Sequence, residues 1–169
     1  LIDGYLLNTN EIFEEKNDAR EGLVKFYQKN RDEVFKKIKG AFGICIFDFN
    51  EKSLRIGRDI FGCKQIFYHI GKDFLVFSND LNLLKKFPNQ DLEIDTQALY
   101  DYTSLFFIPS PLTFYKYIKC LLPSEFLIFK LDRNENIVFE KKKYHSWNYE
   151  PLRKFNIKDH LEFLENLIE

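Results

Sequence analysis

Residues 40 to 68, GAFGICIFDFNEKSLRIGRDIFGCKQIFY, constrain the fold of this chain more than any other stretch. Ala41 to Phe49 is almost wholly apolar, which suits a strand covered on both faces. Asn50-Glu51-Lys52 turns the chain into a second strand, Ser53 to Arg58. Arg58-Asp59-Ile60-Phe61-Gly62 then forms a polar corner closed by glycine. An antiparallel strand pair of this kind needs a second layer on each face, so the rest of the chain must supply the covering elements.

Further hairpin signals follow. Ile66 to Ile70 and Phe74 to Ser78 flank Gly71-Lys72-Asp73, and Glu125 to Leu131 and Ile137 to Tyr144 flank Asp132 to Asn136. Leu1 to Leu7 reads as a short strand with Asp3-Gly4 as a turn or bulge. A brief helical segment is expected around Glu11 to Glu15. Asp18 and Glu21 have the form of a capping box opening a helix that breaks near Asn30. Asn79-Asp80 caps a short helix through Lys86, and Asp95 caps another with Ala98, Leu99 and Tyr102 facing inward. Pro109 and Pro111 mark an irregular crossing before Phe114 to Ile118, residues 146 to 154 read as a linker, and Leu161, Leu164 and Ile168 share one face of a final helix. Hairpins interleaved with short helices predict an α+β layered domain rather than a doubly wound parallel sheet.

The 169 residues can bury a sizeable core, and 45% hydrophobic content with nineteen phenylalanines argues against disorder. Twenty-five basic and 26 acidic residues leave a formal charge of −1 with no basic face, so nucleic acid is not an expected partner. Lys141-Lys142-Lys143 reads as a solvated strand end. No apolar run approaches the roughly 18 to 20 residues that span a bilayer. The first residues are not a signal peptide, and a cytoplasmic location is expected. Cys45, Cys63 and Cys120 make neither a metal knuckle nor a disulfide framework. Cys45 reads as a buried thiol and Cys63 as partly exposed after a turn glycine. His69, His145 and His160 share no ligand spacing, read as surface or strand-edge residues, and predict no metal site. Neither a GxGxxG nor a Walker pattern is present.

Five segments occur in an order that resembles the amidotransferase domain of glutamine-dependent asparagine synthetases. Asp3-Gly4-Tyr5-Leu6-Leu7-Asn8 is similar to that family's Asn-Gly-Glu-Ile-Tyr-Asn strand. Gly40-Ala41-Phe42 with Asp48 resembles its Gly-x-Phe-Ala strand ending in Trp-Asp. Arg58-Asp59-Ile60-Phe61-Gly62-Cys63-Lys64, followed by Ile66-Phe67-Tyr68, resembles Arg-Asp-Arg-Phe-Gly-Ile-Lys-Pro-Leu-Tyr-Tyr. Phe77-Ser78-Asn79-Asp80 stands for Phe-Ala-Ser-Glu, and Pro109-Ser110-Pro111-Leu112-Thr113-Phe114 with Ile118 and Pro123 for a Pro-x-Pro-x-Thr-Phe segment. The likeness covers about residues 3 to 126.

The resemblance implies an N-terminal-nucleophile sandwich, αββα, of two antiparallel sheets, here N-terminally incomplete. It implies an amidotransferase-like domain over residues 1–145, with 146–169 a linker and connecting helix towards a synthetase domain in cis. Such a domain hydrolyses glutamine and passes ammonia to an ATP-dependent amide-forming domain. ATP and Mg would belong to that second domain, with no cofactor in this chain. A homodimer is a further expectation. The chain starts at Leu1 with no methionine anywhere and ends inside a helical pattern, so it is read as a piece of a longer protein.

The chemistry requires a thiolate nucleophile, donors facing an oxyanion, and a clamp on the amino-acid head group. No catalytic residue is assigned in this chain, the nucleophilic cysteine being expected upstream. Asp3, Gly4 and Asp18 are the candidate substrate-binding residues. Asp3 stands where the family has an asparagine donor, and an ionised carboxylate cannot donate. Gly4 offers its backbone amide. Ala19 aligns with the family's aspartate for the substrate ammonium, with Asp18 one residue away, and Tyr5 replaces a glutamate. Each has a structural alternative: Asp3-Gly4 as a turn, Asp18 and Glu21 as helix caps, and Arg58-Asp59 as a corner ion pair supporting Gly62. Two further readings stay open, a degenerate domain that scaffolds a lactam- or amide-forming synthetase domain, and an unrelated α+β binding module.

Overall fold

The computed structural model describes residues 1–13, 18–72, 74–88, 91–132, 136–149 and 157–168, with the side chains of residues 159 and 160 outside that description. Its elements in chain order begin with strand β1 (Ile2–Leu6), helix α1 (Thr9–Ile12) and helix α2 (Ala19–Asn30). A single 3₁₀ turn (Arg31–Glu33) and helix α3 (Val34–Lys37) follow, realising the break expected near Asn30. Next come β2 (Gly40–Asp48), β3 (Ser53–Arg58), β4 (Phe67–Ile70), β5 (Leu75–Ser78), α4 (Leu81–Lys85) and α5 (Thr96–Leu105). Strands β6 (Lys119–Cys120), β7 (Glu125–Leu131) and β8 (Ile137–Lys143) and helix α6 (Ile157–Ile168) complete the order.

The strands form two antiparallel sheets, one in the order β1-β2-β3-β7-β8 and one in the order β5-β4-β6. Alternation along each strand of the larger sheet supplies both of its faces. Phe42, Ile44, Phe126 and Ile128 point to one side and bury against Leu23, Tyr27, Val34, Phe35 and Ile38 of α2, α3 and the residue after them. Ile56, Leu127 and Phe129 point to the other and bury against Ile66, Leu121 and the partly buried Tyr68, Ile70, Leu75 and Phe77 of the smaller sheet. Helix α4 covers the smaller sheet through β4 and β5. The layers are therefore helix, sheet, sheet, helix, the expected α+β sandwich.

Helix starts are set by carboxylates. Asp18, Asp80 and Asp95 accept from the amides of Arg20, Asn82 and Gln97 respectively, which satisfies donors the helix cannot use itself. Several expectations are corrected. β1 pairs with β2 residue for residue from Ile2↔Ile44 to Leu6↔Gly40, so Asp3-Gly4 is neither a turn nor a bulge. On α5 only Ala98 is buried. Leu99 and Tyr102 stay 47% and 45% exposed, Tyr102 resting one side of its ring against Phe114 at 5.4 Å while the rest faces solvent. Phe114 to Ile118 contributes an isolated bridge, Ile94↔Tyr115, and the strand there is displaced to β6. His69 is buried rather than on a surface or edge, since β4 is the central strand of its sheet. Its Nδ1 lies 2.8 Å from the Tyr117 carbonyl, which can only accept, so that nitrogen carries the proton. The apolar face of α6, with Leu161, Leu164 and Ile168, is exposed. Parts of the expected linker and of two turns, and the side chain of His160, lie outside the described residues.

Candidate functional site

The Arg58-Asp59 corner is built differently from an ion pair. Among the described contacts, each side chain serves mainly the main chain, Arg58 also reaching Cys120 Sγ. Arg58, 5% exposed, donates to the carbonyls of Gly62, Lys64 and Leu121. Asp59, fully buried, accepts from the amides of Phe42 (3.3 Å), Phe61 (3.0 Å), Cys63 (3.0 Å) and Lys64 (3.1 Å). A compact carboxylate can take four amides only when the chain wraps tightly around it. Gly62, at φ +69, allows that wrap. The Tyr144 hydroxyl donates to the Arg58 carbonyl at 2.6 Å and ties the corner to the end of β8. Burial pushes that phenol well above its usual range.

The corner controls the free edge of β1. Phe42 donates its amide to Asp59 Oδ2 and accepts the Asp59 amide on its carbonyl at 3.0 Å. Phe42 faces Gly4 across the ladder. With both its backbone groups turned towards Asp59, the Gly4–Phe42 pair is a non-hydrogen-bonded one. The Gly4 amide is therefore directed to the outer edge of β1, which no strand covers on that side. Gly4 sits at φ +106, and a Cβ there would lie 2.0 Å from the Ala41 carbonyl oxygen and 3.1 Å from Lys64 Cε. The Ala41 backbone and the positive φ together require glycine at this point, and Lys64 passes close by.

Lys64, its backbone held by both corner residues, reaches Asp3, with Nζ 3.5 Å from Oδ1. Asp3 Oδ2 also accepts from Asn79 Nδ2 at 3.0 Å. Asn79 directly follows β5, so this contact joins the two sheets. Beneath it lies a cavity of about 240 Å³ lined by Asp3, Gly43, Cys45, Ile66, Phe77 and Ser78 among others. Its interior is largely apolar, Asp3 and Asn79 are among its lining residues, and the Lys64 ammonium meets Asp3 without lining the cavity itself. That arrangement suits a small molecule with one polar end.

A second cavity, about 440 Å³, opens between α2 and β2 beside Arg20, Tyr27, Gln28, Arg31, Asp48 and Phe49. Its wall is a charge network. Arg31 and the Tyr27 hydroxyl both donate to Asp48 Oδ2, at 2.6 and 3.0 Å. Arg55, 4% exposed, donates to Asp32 (2.6 Å) and Glu51 (2.8 Å). The amides of Glu51 and Asn50, with Tyr27 and Arg31, hold the Asp48 carboxyl below its ordinary value. Burial, with help from Asp48, pushes the Tyr27 phenol up from 10.0 to about 12. A raised acid pKa means the neutral phenol is the folded form. Its stabilisation is whole below pH 10.0 and is lost as pH rises towards about 12. The melting temperature is thus expected to fall across that window, and Tyr27→Phe to flatten the fall. A slope unchanged in Tyr27→Phe would contradict this.

The candidate residues are placed as follows. Asp3 lines the smaller cavity, and Gly4 follows it on β1 without itself being among the lining residues. Asp18 is the N-cap of α2, its carboxylate accepting from Arg20 N–H at 3.5 Å, and it lines neither cavity. Ala19 opens α2. Tyr5 is 60% exposed and lines neither cavity. Cys45 is half-buried, and burial raises its thiol pKa. Cys63 is exposed, and desolvation together with the Asp59 carboxylate raises its pKa. Cys120 is buried, with Arg58 Nη1 3.5 Å from its sulfur. Lys64 and Asn79 are not named as site residues by sequence reasoning, although both sit in the quoted motifs and Asn79 reads there as part of a helix cap. Asn79 is 76 residues from Asp3, and nothing local marks the pair. Among the described residues, no three His, Cys, Asp or Glu side chains stand together as a metal site, and no helix is long and apolar enough to cross a membrane.

Residues 4–145 match the family model for a glutamine amidotransferase domain. The chain is 30% identical over 150 residues to asparagine synthetase [glutamine-hydrolyzing] 1 of Bacillus subtilis, covering 89% of this chain and 22% of that protein. It is 32% identical over 137 residues to a Methanocaldococcus jannaschii protein provisionally named asparagine synthetase [glutamine-hydrolyzing] 2, covering 78% and 26%. A similarly named Mycobacterium tuberculosis protein is 28% identical over 104 residues, covering 60% and 16%. The chain thus spans about a quarter or less of the length of these relatives.

Proposed function

The chain belongs to the glutamine amidotransferase domain family, and from that premise we propose that it is the amidotransferase part of a longer asparagine-synthetase-like protein. In the intact protein this part hydrolyses glutamine and supplies ammonia for ATP-dependent amide formation. Residues 1–145 are the amidotransferase-like domain, and 146–169 lead to the synthetase domain, which would hold ATP and Mg. A cytoplasmic setting and a homodimer go with this reading. The observation that carries it is the Gly4 amide turned out at the β1 edge beside a small cavity. A backbone donor fixed in that way needs no reorganisation when negative charge develops on a bound amide. Asp3 and Gly4 are the substrate-facing residues of the proposal, and Asp18 the helix cap closest in sequence to the expected ammonium site.

One observation favours the alternative, a glutaminase-inactive domain that scaffolds a lactam- or amide-forming synthetase. Asp3 places an acceptor-only carboxylate where a donor is wanted. The two readings separate on ammonia release from glutamine by the intact protein, before and after alkylation of its cysteines. Release that alkylation abolishes supports the glutaminase, and amide product formed with ammonium salts but never with glutamine supports the scaffold. The 169-residue chain alone is expected to release no ammonia. The pKa values of Cys45 and Cys63 are raised rather than lowered, which leaves little thiolate at neutral pH. Cysteine-dependent release by this chain would overturn that expectation.

A further inference from the structure

Around the mouth of the 240 Å³ cavity the polar groups do not play the parts their types suggest in isolation. Asp3, the residue on β1, can only accept, and it is already engaged by Asn79 Nδ2 and Lys64 Nζ. The contact with a carboxylate also orients the Asn79 amide, whose nitrogen end must face Asp3. That nitrogen carries two hydrogens, and Asp3 takes one. Lys64 matches the charge of Asp3, so a second negatively polarised oxygen at the mouth meets a neutral pair rather than a bare carboxylate. With the outward amide of neighbouring Gly4, these groups offer donors, and the one carboxylate among them is already occupied.

We propose that Asn79 is the side-chain donor to a substrate oxygen at the Gly4 edge, with Asp3 its orienting acceptor. The amide missing from position 3 is supplied across the sheet interface from the end of β5. The ligand is the ω-amide or ω-carboxylate end of a small amino acid, its methylenes entering the apolar cavity. Asn79 is a binding residue in this scheme, and Asp3 and Lys64 are positioning residues. The inference rests on the amidotransferase reading and adds the donor which that reading lacks.

The test is titration of the ¹⁵N-labelled chain with L-glutamate, followed by the Gly4 backbone amide and the Asn79 side-chain amide resonances. Asn79 is exposed, so Asn79→Ser can be compared in a folded chain, checked by its melting temperature and amide dispersion. Both resonances are expected to move in the unsubstituted chain. The affinity of Asn79→Ser should be weaker by roughly tenfold or more, the loss of one hydrogen bond to a charged acceptor. Gly4 moving with affinity unchanged in Asn79→Ser overturns the role of Asn79 and leaves the amidotransferase reading standing. Neither resonance moving overturns the proposal, while the amidotransferase reading stands or falls separately on cysteine-dependent ammonia release by the intact protein.

Discussion

Asp59→Ala is expected to cost on the order of 3–5 kcal/mol of folding stability, the largest loss from any single polar side chain here. The fully buried carboxylate satisfies four amides on three segments, Phe42 in β2, Phe61 and Cys63 in the corner, and Lys64 beyond it. Alanine leaves all four without their acceptor, and an unmatched buried amide costs about 1–3 kcal/mol. The sum falls short of four full penalties because the corner, near exposed Phe61 and Cys63, admits some water once loosened. Asp59→Asn should be nearly as damaging, since one amide nitrogen then faces amide donors. Urea unfolding at constant m-value reads the change. A loss under about 1 kcal/mol would show that the corner is not held by this carboxylate.

Phe35→Ala is expected to cost about 3–5 kcal/mol by leaving a cavity between α3 and the larger sheet. Phe35 is fully buried and stacks on Phe126 with centroids 4.5 Å apart. It also closes over Gly57, where a Cβ would sit 2.2 Å from Phe35 Cε1. Gly57→Ala therefore overpacks the same site and should cost about 1–3 kcal/mol. The two changes are coupled. In the Phe35→Ala background the added methyl enters vacated space, so the double variant should be more stable than the sum of the single losses predicts. Strict additivity in the cycle would mean that ring and glycine are independent.

Much of the architecture was legible locally. Apolar, β-branched and aromatic runs either side of a polar turn over Glu125–Leu131 and Ile137–Lys143, and continuous apolar residues over Gly40–Asp48, mark strands whatever lies around them. Asp18, Asp80 and Asp95 mark helix starts because a side-chain acceptor meets amides two or three residues away. The family itself was legible in five ordered segments. The inward face of α5 was less so, because apolar residues at helical spacing tell which side is apolar but not how much of it a neighbour covers. Leu99 and Tyr102 are apolar and stay exposed, while His69 is polar and is buried by its place in a central strand.

The candidate site lies at the other limit. Asp3 and Gly4 are adjacent in sequence and easily noticed, but their partners are fixed only by folding. Arg58 and Asp59 look like an ion pair because they are neighbours of opposite charge. In the folded chain each faces a different set of main-chain groups, since a buried charge surrounded by unmatched amides and carbonyls is better stabilised by several of them than by one counter-ion. Asn79 comes within 3.0 Å of Asp3 across 76 residues only because two sheets stack at this edge, and Lys64 crosses Gly4 only because the corner aims it there. Local pattern determined the elements, their caps and the family, since those depend on contacts within a few residues along the chain. Which side chains share the mouth of the cavity depended on the packing of whole layers, which no short-range spacing encodes.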